Sequence, residues 1–351
     1  MNILYVYRIP RDKLKSNVIN KKEPDHFLYG LFYLRKLGYE IKSTDKYYKI
    51  PQVGQLFWPI EKLISSVTGI GFKLDQALIL IPETRRSDLL ITTTDSAGLP
   101  FLLLKKLNLI KCPIVYISTG LINELEKRKN TLLLTFYRNL LLKADVIIVH
   151  SHVERDKYST FLKRNKRIEY IPFGIDTKFI KSKNKLHRNY ILVVGKDRSR
   201  DFNLVSKVAS RLKTQKFIVV TDPSNVRNIN FPSNVKLYFN LSYTKIRTLY
   251  LNSKLVFIPL VELNRAAGQV SFLESIATHN QVVIAKVKGI VDVYPNLAQS
   301  KNVFLFKAGD DNEAIEKIKI ALKSEFKQSK EDKIPTSKEY ALKLNSVINS
   351  L

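Results

Sequence analysis

The stretch Ala266–Pro295, AAGQVSFLESIATHNQVVIAKVKGIVDVYP, decides the reading of this chain. A glycine opens it, a helix is expected over 271–278, a strand over 281–285, and a Gly-Ile-x-Asp turn follows at 289–292. The strand is apolar at consecutive rather than alternate positions, as in a parallel sheet covered on both faces. Gly268 and Gln269 stand where the helix begins, and free N–H groups and the dipole at such an end favour an anion such as a pyrophosphate. Glu274 lies among Phe272, Leu273 and Ile276, an apolar setting in which a carboxylate needs a partner. A ribose diol could supply it; the plainer alternative is a carboxylate on the helix surface.

Working outward, the same alternation runs through the chain. Strands are expected at 2–7, 39–42, 89–93, 113–118 and 146–149, with helices at 27–37, where Asp25 would cap and Gly38 stop the run, and at 99–107 and 132–143. Pro172, Gly174 and a charged stretch to Asn189 break the pattern as a linker would. It then restarts with strands at 190–194, 217–220, 236–239, 255–259 and 281–285, and helices at 204–212, 271–278, 313–330 and 338–348. Two α/β halves with parallel sheets follow, and such sheets take ligands at the carboxyl ends of their strands.

Composition narrows the function. The 351 residues carry 59 Lys and Arg against 31 Asp and Glu, a formal charge of +28. The excess is shared by the two halves, with 30 basic and 17 acidic residues in 1–180 and 29 and 14 in 181–351, and it is densest over 161–200. Such a charge favours anionic partners: nucleic acid, anionic lipid or phosphorylated small molecules. Dispersed charge on two α/β halves lacks the clustered basic face of a nucleic-acid binder, so no nucleic-acid partner is expected. The single Cys112 excludes an intramolecular disulfide and any Cys-rich metal site. The N-terminal run reads as a core strand rather than a signal peptide, and no segment has the apolar length of a membrane span. Gln55–Ile81 differs, with the one tryptophan, Trp58, and few charges. It reads either as helices packed on the first half or as a protruding apolar surface for a lipid-linked acceptor or membrane interface.

The common nucleotide motifs are missing. There is no G-x-x-x-x-G-K-[ST] loop, no G-x-G-x-x-G after a strand, no H-E-x-x-H and no D-x-D. His150 and His152 follow a strand at i, i+2 without a third nearby ligand, so no metal site is expected.

At this point the sequence resembles the GT-B glycosyltransferases of family 4, the group 1 glycosyl transferases. Their C-terminal signature is similar to Gly268-Gln269, Glu274, Ala277–Val283 and Gly289–Asp292. Ala144–Val149 with Ser151 resembles the family's A-D-x-V-I-x-x-S strand, and Ile171–Phe179, IPFGIDTKF, its domain crossing. Ile191–Phe202, ILVVGKDRSRDF, resembles the strand, glycine and basic loop of the second domain, and Tyr250–Pro259 the Y-x-x-A-D-V-x-V-x-P element. The matches are collinear over most of the chain. Two features depart: the first of two family glutamates falls on Ala266, leaving its role unfilled or to Gln269 or Glu262, and the glycine-rich loop after the first strand is replaced by Ile9-Pro10-Arg11.

The resemblance implies a GT-B fold of two Rossmann-like domains with parallel sheets facing a cleft: an acceptor-side domain over 1–178, a nucleotide-sugar domain over 179–330 and a helical tail over 331–351. It implies transfer of a sugar from a nucleoside diphosphate sugar to the hydroxyl of a glycan or lipid-linked acceptor, with retention and no cofactor or metal. The expected setting is cell-surface polysaccharide or glycolipid assembly, in the cytoplasm or peripherally at an anionic membrane surface. Lys196, Arg200 and Arg265 are expected on the diphosphate with Arg198 in reserve, Gly195, Gly268 and Gln269 beside them, and Glu274 on the ribose. Asp95, grouped with Lys196 and Arg200 as catalytic, and Ser96, Thr119 and Gly120 would face the acceptor. A GT-B-like nucleotide-sugar epimerase and a non-catalytic sugar-nucleotide or glycan binder remain as alternatives.

Overall fold

Among the described residues twelve short strands, five of them apolar at every position, build two sheets in the computed structural model. It describes all residues except 45–50, 164–165, 182–188, 263–265 and 328–332, and 51–55 by backbone alone. Contacts divide the chain into two units, one of Met1–Asn17, Phe27–Pro172 and Lys338–Leu351, the other of Val18–His26 and Phe173–Ser337. The main crossing therefore falls at 172/173 rather than at the expected 178/179. The residues expected as a separate tail from 331 are shared between the two units, and Val18–His26 joins the second.

The first unit holds β1 (Asn2–Val6), β2 (Glu40–Ser43), β3 (Leu89–Thr92), β4 (Ile114–Ile117), β5 (Val146–Val149) and β6 (Ile168–Tyr170). They pair in parallel in the order β2-β1-β3-β4-β5-β6. The second holds β7 (Ile191–Val194), β8 (Phe217–Thr221), β9 (Val235–Phe239), β10 (Leu255–Ile258), β11 (Gln281–Ala285) and β12 (Val303–Phe306). Their order, β12-β11-β10-β7-β8-β9, is also parallel. Strands β3, β4, β5, β10 and β11 are buried along their whole length. Each fully buried Val, Leu or Ile contributes roughly 1.5–3 kcal/mol against the entropy of ordering the chain.

Strand order reverses at one place in each sheet, between β1 and β3 in the first and between β7 and β10 in the second. Chains leaving adjacent strands there turn to opposite faces, which opens a crevice at the carboxyl ends. The residues that follow these four strands are therefore the ones the fold presents to a ligand.

One expected helix is divided. His26–Leu28 is a single 3-10 turn, Tyr29 and Gly30 are left-handed (φ 51° and 82°), and only Leu31–Lys36 is α-helical. Gly30 is needed there, because a Cβ would lie 2.9 Å from the Cβ of Ala341 in the helix Ser337–Asn349. Gly30 rather than Asp25 stands at the N-cap of this helix, and the Asp25 N–H donates to Asp176 Oδ2. Gln55–Ile81 forms the helices Pro51–Thr68 and Leu74–Ile79. No helix among the described residues is long and apolar enough to cross a membrane.

Candidate functional site

In the second unit β7 ends at Val194, and Gly195 releases the chain into a basic loop. Lys196 and Arg198 are exposed, whereas Arg200 turns back inward and is only 6% exposed. The backbone pins it there: Val261 N–H donates to Ser199 O and Asp201 N–H to Pro259 O, both 2.9 Å, tying the loop to the end of β10. Asp201 then caps the next helix, accepting from Leu204 N–H. The loop thus closes directly over the place where strand order reverses.

The Arg200 guanidinium lies along the start of the helix Gln269–Ala277. Its Nε donates to Val194 O at 3.2 Å and its Nη2 to Ser271 Oγ at 3.0 Å, while Ser271 Oγ donates in turn to Val194 O at 3.1 Å. Two glycines make room for it. A Cβ on Gly195 would stand 2.5 Å from Arg200 Nε, and one on Gly268 would stand 3.3 Å from Nη1. Gly268 also takes φ +80°, which lets the helix begin without a side chain over its first turn. A buried guanidinium beside the positive end of a helix dipole gives two kinds of positive potential at one spot. Gln269 beside it is 5% exposed, with Nε2 donating to Gly289 O at 3.4 Å.

Glu274, on the same helix, is 1% exposed, so the surface-carboxylate alternative is excluded. The Tyr243 hydroxyl donates to its Oε1 in a short hydrogen bond. His26 Nε2 stands 3.9 Å from that oxygen. His26 is packed edge-on against Phe173 and Tyr243, and its Nδ1 accepts from Asp176 N–H at 3.3 Å. That bond assigns the ring proton to Nε2, on the side of Glu274. Burial pushes the His26 imidazole down to about 3 and the Glu274 carboxyl up to about 8, the hydroxyls of Tyr243 and Tyr250 opposing the latter. Both are neutral at pH 7, so the pair is a polar contact and not a salt bridge. Nothing in the spacing of the sequence joins His26 and Tyr243 to Glu274; the fold brings together residues from three distant segments.

In the first unit Asp95 follows β3 and opens the helix Asp95–Lys106. Its carboxylate is buried and accepts four hydrogen bonds: Tyr116 Oη to Oδ1 at 2.6 Å, and Thr119 N, Thr119 Oγ1 and Leu121 N to Oδ2 at 3.1, 2.9 and 3.1 Å. Burial raises its pKa and these donors oppose the rise. Thr119 and Gly120 (φ 121°) form the turn after β4, so Asp95 fixes that turn. Ser96 faces a cavity of about 390 Å³ lined also by Arg8, Trp58, Lys62, Phe72 and Lys73. Arg8 follows β1 and Ser96 follows β3, so the cavity lies where this sheet reverses its order. Beyond β5, His150 Nδ1 contacts Ile171 O at 2.9 Å and Ser151 caps the helix His152–Leu162.

The sequence-expected residues thus separate into two groups. Gly195, Arg200, Gly268, Gln269 and Glu274 gather around the carboxyl ends of β7 and β10, with Lys196 on the exposed rim. Asp95, Thr119 and Gly120 gather at the ends of β3 and β4, with Ser96 in the neighbouring cavity. Arg265 lies outside the described residues. Ala266 is half-buried and Glu262 exposed. Gly289–Asp292 is the end of a short helix, Lys288–Val291, rather than a bare turn. Among the described residues no group of three His, Cys, Asp or Glu is placed to hold a metal ion.

No family model matches the chain, and no curated protein is similar to it in sequence. Solved structures are similar over most or all of its length. HepE of Anabaena in complex with UDP-glucose superposes with a TM-score of 0.70 at 14% identity, covering 100% of both chains. Sucrose-phosphate synthase of Thermosynechococcus elongatus gives 0.70 at 12%, covering 100% of this chain and 98% of that one. A Burkholderia xenovorans α,α-trehalose-phosphate synthase (UDP-forming), in complex with glucose-6-phosphate, gives 0.60 at 10%, covering 79% and 75%. The fold is the GT-B fold, as the motifs implied.

Proposed function

We propose that the chain is a glycosyltransferase that takes a nucleoside diphosphate sugar in its second unit and passes the sugar to an acceptor hydroxyl. The observation that carries this is Arg200, folded under Gly195 and Gly268 at the start of the Gln269–Ala277 helix. The fold supports the same reading, since similar structures include one solved with UDP-glucose and synthases of sugar phosphates.

In this reading the diphosphate lies at the helix start, against Arg200, with Lys196 reaching it from the rim. As the bond from anomeric carbon to phosphate oxygen breaks, its electron pair leaves on that oxygen and the sugar gains oxocarbenium character. Charge grows where the guanidinium and the helix N–H groups stand, so they bind the transition state better than the ground state. The acceptor oxygen bonds to the anomeric carbon on the face the leaving group vacates, which retains configuration, and its proton passes to the departing phosphate oxygen. Side chains rather than a divalent cation carry the charge stabilisation. Glu274, oriented by Tyr243, accepts from a ribose hydroxyl. Asp95, its oxygens already engaged, acts by holding Thr119 and Gly120 for the acceptor, while Ser96 and the cavity beside Arg8 receive it. The acceptor class is a glycan or lipid-linked sugar of cell-surface polysaccharide or glycolipid assembly, met at the cytoplasmic membrane face.

A thermal-shift panel of nucleoside diphosphate sugars, followed by nucleotide-release assays with the best hit and glycolipid acceptors, tests the proposal. One donor is expected to raise the melting temperature and release its nucleotide faster with acceptor present. Isomerisation of the sugar without acceptor would replace this reading with an epimerase. Binding without turnover, which Ala266 in place of a family glutamate makes a specific alternative, would replace it with a binding protein.

A further inference from the structure

One face of the helix Pro51–Thr68 is turned to the cavity beside Arg8. Trp58, Glu61, Lys62 and Ser65 stand at i, i+3, i+4 and i+7 and all line it, as do Lys73 beyond the helix and Ser96 at the start of Asp95–Lys106. Its volume of about 390 Å³ is that of a small-molecule site, for which roughly 300–1,000 Å³ is usual.

Three cations border this cavity against one carboxylate, and that carboxylate is already engaged. Glu61 Oε2 accepts from Lys73 Nζ and Oε1 from Asp75 N–H, both at 3.1 Å, so Lys73 is neutralised where it stands. Arg8 and Lys62 are not. Among the described residues Arg8 makes no hydrogen bond or ion pair, and the Lys62 ammonium meets only the Trp58 ring, 4.7 Å from its centroid. Two unmatched positive charges over one cavity favour a dianion, which at neutral pH means a phosphate rather than a carboxylate. Arg8 offers its oxygens a fork of donors and Lys62 a point charge.

The rest of the wall suits a sugar ring. Trp58, 57% exposed, presents an apolar surface to C–H groups, and Phe72 lines the cavity below it. The Ser96 hydroxyl makes no hydrogen bond among the described residues, so it is open to a ring hydroxyl. Gly71 keeps that place clear, because a Cβ there would stand 3.0 Å from Ser96 Cβ.

We infer that this cavity selects its acceptor by a phosphate: a sugar bearing a phosphate or diphosphate group, with that group held by Arg8 and Lys62 and the ring against Trp58 and Ser96. That the bound sugar is an acceptor rests on the glycosyl-transfer reading. Its binding is measured without donor or turnover, so the two fail separately.

Trp58 is the sole tryptophan, and its fluorescence reports the cavity directly. The probes are the 1- and 6-phosphates of glucose, galactose, mannose and N-acetylglucosamine, the same sugars on farnesyl diphosphate, the four parent sugars, and inorganic phosphate. At least one phosphorylated sugar is expected to change Trp58 emission and to bind at least about ten-fold more tightly than its parent, with salt weakening it. Arg8→Ala and Lys62→Met should each lose about ten-fold by calorimetric titration at an unchanged melting temperature, since both side chains face solvent. Tightest binding by a free sugar phosphate makes the acceptor a soluble one, and tightest binding by a farnesyl diphosphate sugar makes it carrier-linked; either supports the inference. Emission that no phosphorylated sugar moves, equal affinity with and without the phosphate, or variants that bind as wild type does would overturn it. Inorganic phosphate binding as tightly as the best sugar phosphate also overturns it, leaving an anion site only. A sugar phosphate that binds here but receives sugar from no donor would count against glycosyl transfer and leave the phosphate site standing.

Discussion

Glu274 is the residue whose burial has the clearest consequence for stability. Its carboxyl titrates near 4.5 when unfolded and at about 8 when folded, because burial disfavours its charge. The folded state therefore holds a proton that the unfolded state releases, and stability falls as pH rises from 4.5 to about 8. His26 acts at the other end: its folded pKa of about 3 lies below the usual 6.5, so its contribution is present above 6.5 and is lost as pH falls toward 3. Between pH 6.5 and 8 the Glu274 effect stands apart from that of His26. Glu274→Gln should therefore gain stability relative to wild type by about 2 kcal/mol over that interval, at about 1.36 kcal/mol per pH unit. Urea denaturation of both proteins at pH 6.5 and pH 8 checks this, and a stability difference that does not change with pH would contradict the assigned burial. A buried carboxylate was legible in the sequence from Phe272, Leu273 and Ile276 around it. Its partners were not, because His26 and Tyr243 come from segments distant in the chain.

At the scale of elements, the strands were the legible part, since apolar runs such as VIIV and LVFI admit little but a covered parallel sheet. Strands β6 and β12 were not anticipated: each is only half-buried over most of its length and stands at a sheet edge, where the apolar signal is weak. The helix expected over 27–37 has good periodicity, yet Tyr29 and Gly30 interrupt it so that the C-terminal helix can pack closely. Local pattern carried no sign of that contact, some 310 residues away in sequence. The same helix is held by Tyr39 Oη, 2.7 Å from both Asn345 Oδ1 and Asn349 Oδ1, and by Arg167, whose Nη1 and Nη2 donate to Ser350 O and Oγ. Gly30→Ala places a methyl group against Ala341 and a left-handed φ on an L-residue, so it should destabilise the fold by about 1–3 kcal/mol. Calorimetry is expected to show a lowered melting temperature, and an unchanged one would mean that the contact is not tight.

For the whole molecule, the formal charge of +28 is divided among several uses. Arg200 is buried at the start of one helix, Arg8, Lys62 and Lys73 line the cavity of the first unit, and the Arg128 guanidinium packs against Gly69. Composition pointed to anionic partners in general, and the motif order narrowed them to a diphosphate; strand order then gave the reason for the place, since Gly195 and Leu260 flank the reversal in the second sheet. What the sequence left obscure on the acceptor side follows from chemistry shared between roles. A carboxylate at a strand end looks the same whether it takes a proton or, like Asp95, is saturated by four donors.

The most direct test of the account is calorimetric titration with the sugar nucleotide that raises the melting temperature most, using wild type, Arg200→Lys and Arg200→Ala. A charge-assisted, forked contact to phosphate is worth about 1.5–3 kcal/mol, so Arg200→Ala should weaken binding by about 10–100-fold. Arg200→Lys should fall between the two, with circular dichroism of all three proteins alike. Equal affinities in the three folded proteins would contradict the placement of the diphosphate at Arg200.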